Sequence, residues 1–192
     1  MSADPIHAGG IFSVSLNGDG ETGFIDPFER HNAGVWNVSD SMLEAMIEEE
    51  GVRYDVYRDV AGFPTVGVGH LVLPADNLKV GDTITHQRAM QLLEDDLAKA
   101  ERGVRDLVGD LKVNQHEFDA LVDLVFNVGV GTVSEEESPR LNAAIKAGDY
   151  EAMAEELAYH TAQNQLAKGL VHRSERRTQI FLDGDYSDPR NG

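Results

Sequence analysis

The sequence predicts an α+β fold that is mostly helical: one helix and a small three-stranded antiparallel sheet in a minor lobe, a long connecting helix, and a helical C-terminal lobe. Three observations predict it. A segment rich in Val, Tyr, Phe and Gly runs from Val52 to Leu73. Apolar residues then recur about every 3.5 positions from Thr85 to Leu107. The remainder is helical in pattern, punctuated by capping residues and glycine stops.

Taken in order, residues 1–40 read as an N-terminal extension: rich in Gly and Asn, without Lys, and holding only short alternating runs such as Ile11 to Leu16 before the turn signal Asn17-Gly18. Such a stretch is either an unstructured tail or a docking arm for a partner chain. Trp36, the sole tryptophan, is expected to pack its end against the main body. The main domain spans residues 41–186, with a small lobe over 41–84, the connecting helix over 85–107 and the helical lobe over 108–186.

The first helix is expected from Ser41, which has capping-box spacing to Glu44, to the stop at Gly51. Leu43, Met46 and Ile47 mark its buried face, and continuing that series lands on Glu50, whereas Glu48 and Glu49 point elsewhere. Short antiparallel strands follow, with a turn around Asp59 to Gly62. In the long helix, Met90, Leu93, Leu97, Ala100, Val104 and Leu107 form the apolar stripe. Asn114 and Glu117 make a second capping box ahead of Phe118, Leu121, Val122 and Val125, ending at Gly129 and Gly131. Three shorter helices are expected over Pro139–Ala147, Tyr150–His160 and Gly169–Leu182, with Gly148 and Gly184 as stops.

Composition excludes several classes of function. With no cysteine, neither disulfides, thiolate metal sites nor a thiol nucleophile is available. The seven histidines are scattered without ligand spacing and no Gly-rich phosphate loop precedes a helix, so no metal and no cofactor is expected. The net charge of −18 repels phosphate backbones and anionic lipid, which argues against nucleic acid as a partner. No basic run and apolar stretch follow Met1, so neither a signal peptide nor membrane insertion is expected. A substrate beyond a cytoplasmic membrane would then have to be reached through another factor.

The chemistry concentrates between Glu50 and His70. An inward acid at a helix C-terminus meets both burial and the negative end of the helix dipole, which favour its neutral form. Three consecutive glutamates there break the usual charge preference, as functional sites often do. Taken singly, each residue also has an ordinary reading: Glu50 as a solvated acid, Asp59 as the head of an Asx turn before Gly62, Thr65 as a common strand residue.

Their joint spacing is more specific. Glu50, nine residues to Asp59, six more to Thr65, and a Gly-x-Gly-His strand end at Gly67–His70 resemble the active-site pattern of the phage-type lysozymes, the family of the T-even phage lysozyme. The likeness extends over Met42 to Tyr186, where Phe126-Asn127-Val128-Gly129 and Gly169-Leu170-Val171 with Arg173, Arg176 and Phe181 resemble further motifs of that family. The resemblance implies a lysozyme-like two-lobed fold and a muramidase that cleaves peptidoglycan between N-acetylmuramic acid and N-acetylglucosamine. Glu50 would be the proton donor, Asp59 the carboxylate that orients water or stabilises positive charge on the sugar, and Thr65 the holder of that water. It implies hydrolysis commonly with inversion: carboxyl groups about 6.5–9.5 Å apart would support inversion, whereas about 5 Å would argue for retention. Phe63, Asn127 and Gly129 become substrate-binding candidates. His70 is expected to hydrogen-bond inside the small lobe, and Arg173 to grip acids beside the cleft, Glu50 among them.

Two features depart from the family: its soluble members are usually basic, and its minimal form lacks the extension. Electrostatic steering would work against capture on anionic walls. The leading expectation is a lytic enzyme held in the host cytoplasm until another factor releases it to the wall. The alternative is a virion-borne lysozyme attached to a tail or baseplate protein through residues 1–40, for which deletion of Met1 to Asn37 should spare hydrolysis and lose particle association. A third reading is a glycan-binding module without catalysis.

Overall fold

A computed structural model describes residues 25–157, 161–162, 165–166 and 168–191. The alternating run at Ile11 to Leu16 and its turn lie outside the described residues. The first described segment is a strap laid on the helical lobe. Its two-residue strand β1 (His31–Asn32) pairs antiparallel with Lys112–Val113, and a 3-10 turn (Ala33–Val35) capped by Asn32 follows. Arg30 forks onto Glu117 at 2.5–3.0 Å and lies over the Tyr150 ring, 3.5 Å from its centre. Trp36 is buried, its indole N–H donating to the Val113 carbonyl at 2.7 Å. A cut after Asn37 would remove all of these contacts, so the deletion expected to be harmless to hydrolysis is not a neutral one.

Helix α1 (Asp40–Glu50) begins two residues earlier than the capping-box pattern predicts. Ser39, not Ser41, is its N-cap and accepts the Met42 N–H at 3.1 Å. The buried stripe is correspondingly offset by one residue, running through Met42, Ala45 and Met46 to Glu49. The Glu49 side chain is 10% exposed, against 28% for Glu50 and 59% for Glu48. The expectation that Glu50 is the inward acid is therefore corrected: Ala45 counts toward the buried face, which rotates the helix so that Glu50 stands at its edge.

The sheet is three-stranded and antiparallel in the order β2 (Arg53–Arg58), β3 (Pro64–Gly67), β4 (His70–Leu71), as predicted. Tyr57 faces Thr65 across β2 and β3, and Thr65 faces Leu71 across β3 and β4, so these three side chains share one face. A small core lies on the other: Val56, Val66 and Val72 close over Leu92. The outer edge of β2 is covered by residues 81–84, where Val56 N–H donates to Asp82 O and Ile84 N–H to Tyr54 O, both at 2.8 Å.

Helix α2 (His86–Val108) is capped by Thr85 and, at 23 residues, runs about 35 Å. Leu92 belongs to the small core, whereas Leu93, Leu97, Ala100, Val104 and Val108 enter the large one, so a single helix is shared by both lobes. Strand β5 (Lys112–Val113) leads into α3 (Gln115–Val128), whose capping box is the predicted one: Glu117 N–H donates to Asn114 Oδ1 at 2.9 Å and Asn114 N–H to Glu117 Oε2 at 3.0 Å. Buried on all sides, α3 is the axis of the helical lobe. A 3-10 turn (Val130–Val133), α4 (Pro139–Ala147) and α5 (Tyr150–Glu156) pack around it. The last residues of the helix expected over Tyr150–His160 lie outside the described residues, as its final described turn is at Leu157.

The strands β6 (Thr161–Ala162) and β7 (Gln165–Leu166) pair antiparallel; at two residues each they carry no periodicity to read. Helix α6 (Lys168–Asp183) closes the lobe and stops at Gly184, which has φ +65°. Among the described residues no helix is long and apolar enough to cross a membrane.

Candidate active site

Glu50 is the last residue of α1, and Gly51 takes over with φ +66° to turn the chain into β2. The carboxylate is met from two sides. Arg173 of α6 donates to its Oε1 through Nη1. On the other side is Gly69 in the β3–β4 turn, at φ +71°; a Cβ there would lie 3.3 Å from Oε2. A side chain at position 69 would press on the carboxylate, which gives the Gly-x-Gly-His pattern its second glycine.

Arg173 is itself held from behind. Its Nε and Nη2 donate to Oδ1 of Asp123 on α3 at 3.1 and 2.6 Å, and Arg177 Nε donates to the other oxygen at 2.7 Å. Asp123 is fully enclosed; burial works against its charge, but Arg177 and Arg173 outweigh burial and hold the carboxyl below the usual range. Burial likewise opposes the Arg173 charge, and Asp123 with Glu50 overcomes it, keeping the guanidinium firmly protonated. The other two glutamates of the run are also gripped: Arg176 reaches Glu48 at 2.7 Å and Glu49 at 3.3 Å, and Arg190 reaches Glu49 at 3.0 Å. Arginines from α6 and the tail thus compensate an acidic helix end that the macrodipole disfavours.

Asp59 closes the β2–β3 hairpin. Its Oδ1 accepts the N–H of Ala61 at 2.9 Å and of Phe63 at 2.8 Å, which is the Asx-turn geometry, and the second oxygen makes no hydrogen bond among the described residues. Thr65 is nearly buried on β3, its hydroxyl donating to Phe63 O at 3.2 Å. With about 3.3 Å per residue, Gly69, Thr65 and the Asp59 turn follow one another along the sheet at steps of roughly 7 Å. Phe63 is 57% exposed beside Asp59. Asn127 and Gly129 end α3; Asn127 lies one turn past Asp123 and Gly129, at φ +83°, is the C-cap.

His70 is buried in the small lobe and faces two carboxylates: Nδ1 lies 2.6 Å from Asp96 on α2 and Nε2 lies 3.1 Å from Asp76. The bond to Asp96 raises its pKa, burial opposes, and Asp76 adds to the rise. For Asp76 and Asp96 burial works upward, but the hydrogen bonds and His70 pull them below the usual range. On α3, burial pushes Asp119 up to about 6.

The signs define a pH optimum for stability. A raised imidazole contributes stability that is whole below its unfolded value of about 6.5 and is lost as pH climbs through the folded value. Asp119 acts in the same sense, its contribution fading as pH rises through about 6. The lowered Asp76, Asp96 and Asp123 contribute above about pH 4, and lose that as pH falls. The Tm is therefore expected to be highest near pH 4–6 and to fall by pH 8, with His70→Asn flattening the upper limb. Thermal melts across this range measure it; a Tm that rises from about pH 6 to 8 contradicts the assignment.

Sequence reasoning missed Asp123, Asp119 and Arg177. The signal was present, since two acids interrupt the apolar stripe of α3, but nothing in the spacing pairs them with α6.

Comparison with known proteins adds an independent line. A family model described as phage lysozyme matches residues 47–177. The chain is similar to the endolysin of Salmonella phage P22, 30% identical over 149 residues that cover 77% of this chain and 99% of that one. It is also similar to the pre-baseplate central spike protein Gp5 of Enterobacteria phage T4, 32% identical over 78% of this chain but only 29% of that protein. Among solved structures, the endolysin of Escherichia coli O157:H7 phage FAHEc1 superposes with a TM-score of 0.68 at 29% identity, covering 79% of this chain and 97% of that one.

Proposed function

Because this chain belongs to the phage lysozyme family, a group of peptidoglycan hydrolases, we propose that Glu50 is its general acid, cleaving the glycan bond between N-acetylmuramic acid and N-acetylglucosamine. The observation that carries the reading is a carboxyl group at the rim of α1, oriented by Arg173, with a glycine in place of a side chain next to it. Protonation of the leaving oxygen by Glu50 needs a second carboxylate to manage the positive charge and the water. Asp59 supplies it: two backbone N–H groups fix one oxygen, and the other is left to a water that the Thr65 hydroxyl helps to hold. Phe63 offers an apolar surface to a sugar face, and Asn127 and Gly129 supply polar contacts from the end of α3.

The experiment is digestion of purified peptidoglycan followed by mass spectrometry of the fragments. Muramidase action releases new reducing termini on N-acetylmuramic acid; new amino groups or intact strands would overturn the reading, the latter in favour of a glycan-binding module.

A second reading concerns place. The 32% identity to a baseplate spike protein favours a virion-borne role, in which the N-terminal residues tie the domain to a tail protein. With a net charge of −18, capture on an anionic wall is opposed, and delivery by a particle would bypass that barrier. Copurification with intact particles separates this role from release at late lysis.

A further inference from the structure

The family match covers residues 47–177, and the chain on either side of it converges on one buried carboxylate. From the N-terminal side, Ser39 donates to Asp119 twice, N–H to Oδ1 at 3.1 Å and hydroxyl to Oδ2 at 2.6 Å. From the C-terminal side, the Tyr186 hydroxyl donates to Oδ2 at 2.6 Å. Gln115, one turn before Asp119 on α3, adds an amide N–H at 3.0 Å. Asp119 is completely buried, and no cation is among these donors.

Both routes lead to α1. Ser39 is the N-cap of that helix. At the other end, the Tyr186 carbonyl accepts Arg176 Nη2 at 2.6 Å and Nε at 3.0 Å, and Arg176 in turn holds Glu48 and Glu49, the neighbours of Glu50. Arg190 of the same tail holds Glu49 as well. We propose that Asp119 is a positioning residue for catalysis: it anchors the start of α1 through Ser39 and the end of α1 through Tyr186 and its arginines, and so sets where the Glu50 carboxyl stands. The inference rests on the assignment of Glu50 as general acid.

The α1 helix contributes only 11 residues, too short to hold itself in place, so its orientation comes from its tethers. Placement errors of about 1 Å at a reacting group can cost roughly a hundredfold in rate. Ser39 and Tyr186 carry rotatable hydroxyl hydrogens, and an asparagine at position 119 keeps one acceptor for the Ser39 N–H while its amide hydrogens meet those hydroxyl oxygens. A rescue by Asn is therefore part of the expectation.

The test is kcat and KM on soluble peptidoglycan fragments, assayed well below the Tm, together with amide hydrogen exchange of α1. Asp119→Ala is expected to lower kcat about tenfold, leave KM within about twofold, and speed exchange of the amides from Leu43 to Gly51. Asp119→Asn is expected to recover most of the lost kcat. A variant whose Tm falls while kcat and α1 exchange stay at wild-type values overturns the proposal, because a purely structural bond would do that. Should Asp119→Ala fail to fold, Tyr186→Phe carries the test: it keeps the ring and removes the hydroxyl, and a wild-type kcat there is equally fatal. Loss of the Glu50 assignment would show separately, as unchanged turnover in Glu50→Gln, and the exchange measurement would still report whether Asp119 seats α1.

Discussion

Glu50→Gln is expected to lower turnover by roughly a hundred- to ten-thousandfold while the folded state and glycan binding persist. Gln matches Glu in shape, and its amide oxygen can still accept the Arg173 bond that orients the side chain. What it lacks is a transferable proton, so the leaving oxygen must depart unprotonated. Release of reducing ends from purified peptidoglycan measures the effect, with circular dichroism and a pull-down on insoluble wall as controls. Activity within about tenfold of wild type would mean that another group donates the proton. The ion pair with Arg173 also makes the choice of substitution matter: Glu50→Ala would strip Arg173 of a partner and confound chemistry with placement.

Asp123→Ala should have the largest effect on stability. Arg173 and Arg177 are both nearly inaccessible to solvent, and each donates to Asp123. Removing the carboxylate leaves two guanidinium groups buried side by side with one counter-charge, Glu50, at the rim. Breaking a buried ion pair in this way costs about 3–5 kcal/mol, and for a chain of this size each kcal/mol moves the Tm by about 2–4 °C. A fall on the order of 10 °C is expected in calorimetry at pH 6–7. Asp123→Asn, which keeps acceptor and shape but not charge, should fall between wild type and Ala. A Tm within about 2 °C of wild type for Asp123→Ala would show that the two arginines find other partners and that the cluster does not hold α6 to α3.

The sheet, the long helix and the capped α3 were legible because each follows from short-range patterning: alternation with a hairpin turn, a sustained apolar stripe, and reciprocal Asn114 and Glu117 bonds. Helix α1 was legible as an element but not in phase. Ser39 and Ser41 are both acceptable caps, and the choice between them is made by Asp119, 80 positions away, which binds Ser39. The buried stripe through Met42, Ala45 and Met46, one residue off the expected one, places Glu49 inward and Glu50 at the edge. The motif spacing from Glu50 to His70 identified the candidate site regardless, since it depends on residue types rather than on phase. The strap has the sequence character of an extension because Arg30, Trp36 and Asn37 are anchored by long-range bonds to Glu117, Val113, Gln115 and Arg105, none of which leaves a periodic trace. The acids inside α3 leave no sequence signal of their pairing for the same reason: their arginine and hydroxyl partners come from segments more than 45 residues away.

The sharing of α2 between two unequal cores has a further consequence. The minor core consists of Val56, Val66, Val72 and Leu92, whereas the major one gathers side chains from the strap and from every helix of the larger lobe. Among the described residues, subglobal opening is therefore expected to begin in the sheet, at a free-energy cost well below that of global melting. Among the described residues, proteases should find their first cuts there, and Asp59 and Thr65, proposed to handle water, ride on the part that is cheapest to loosen. Glu50, the proposed proton donor, is by contrast fastened through α1 to the part that melts last.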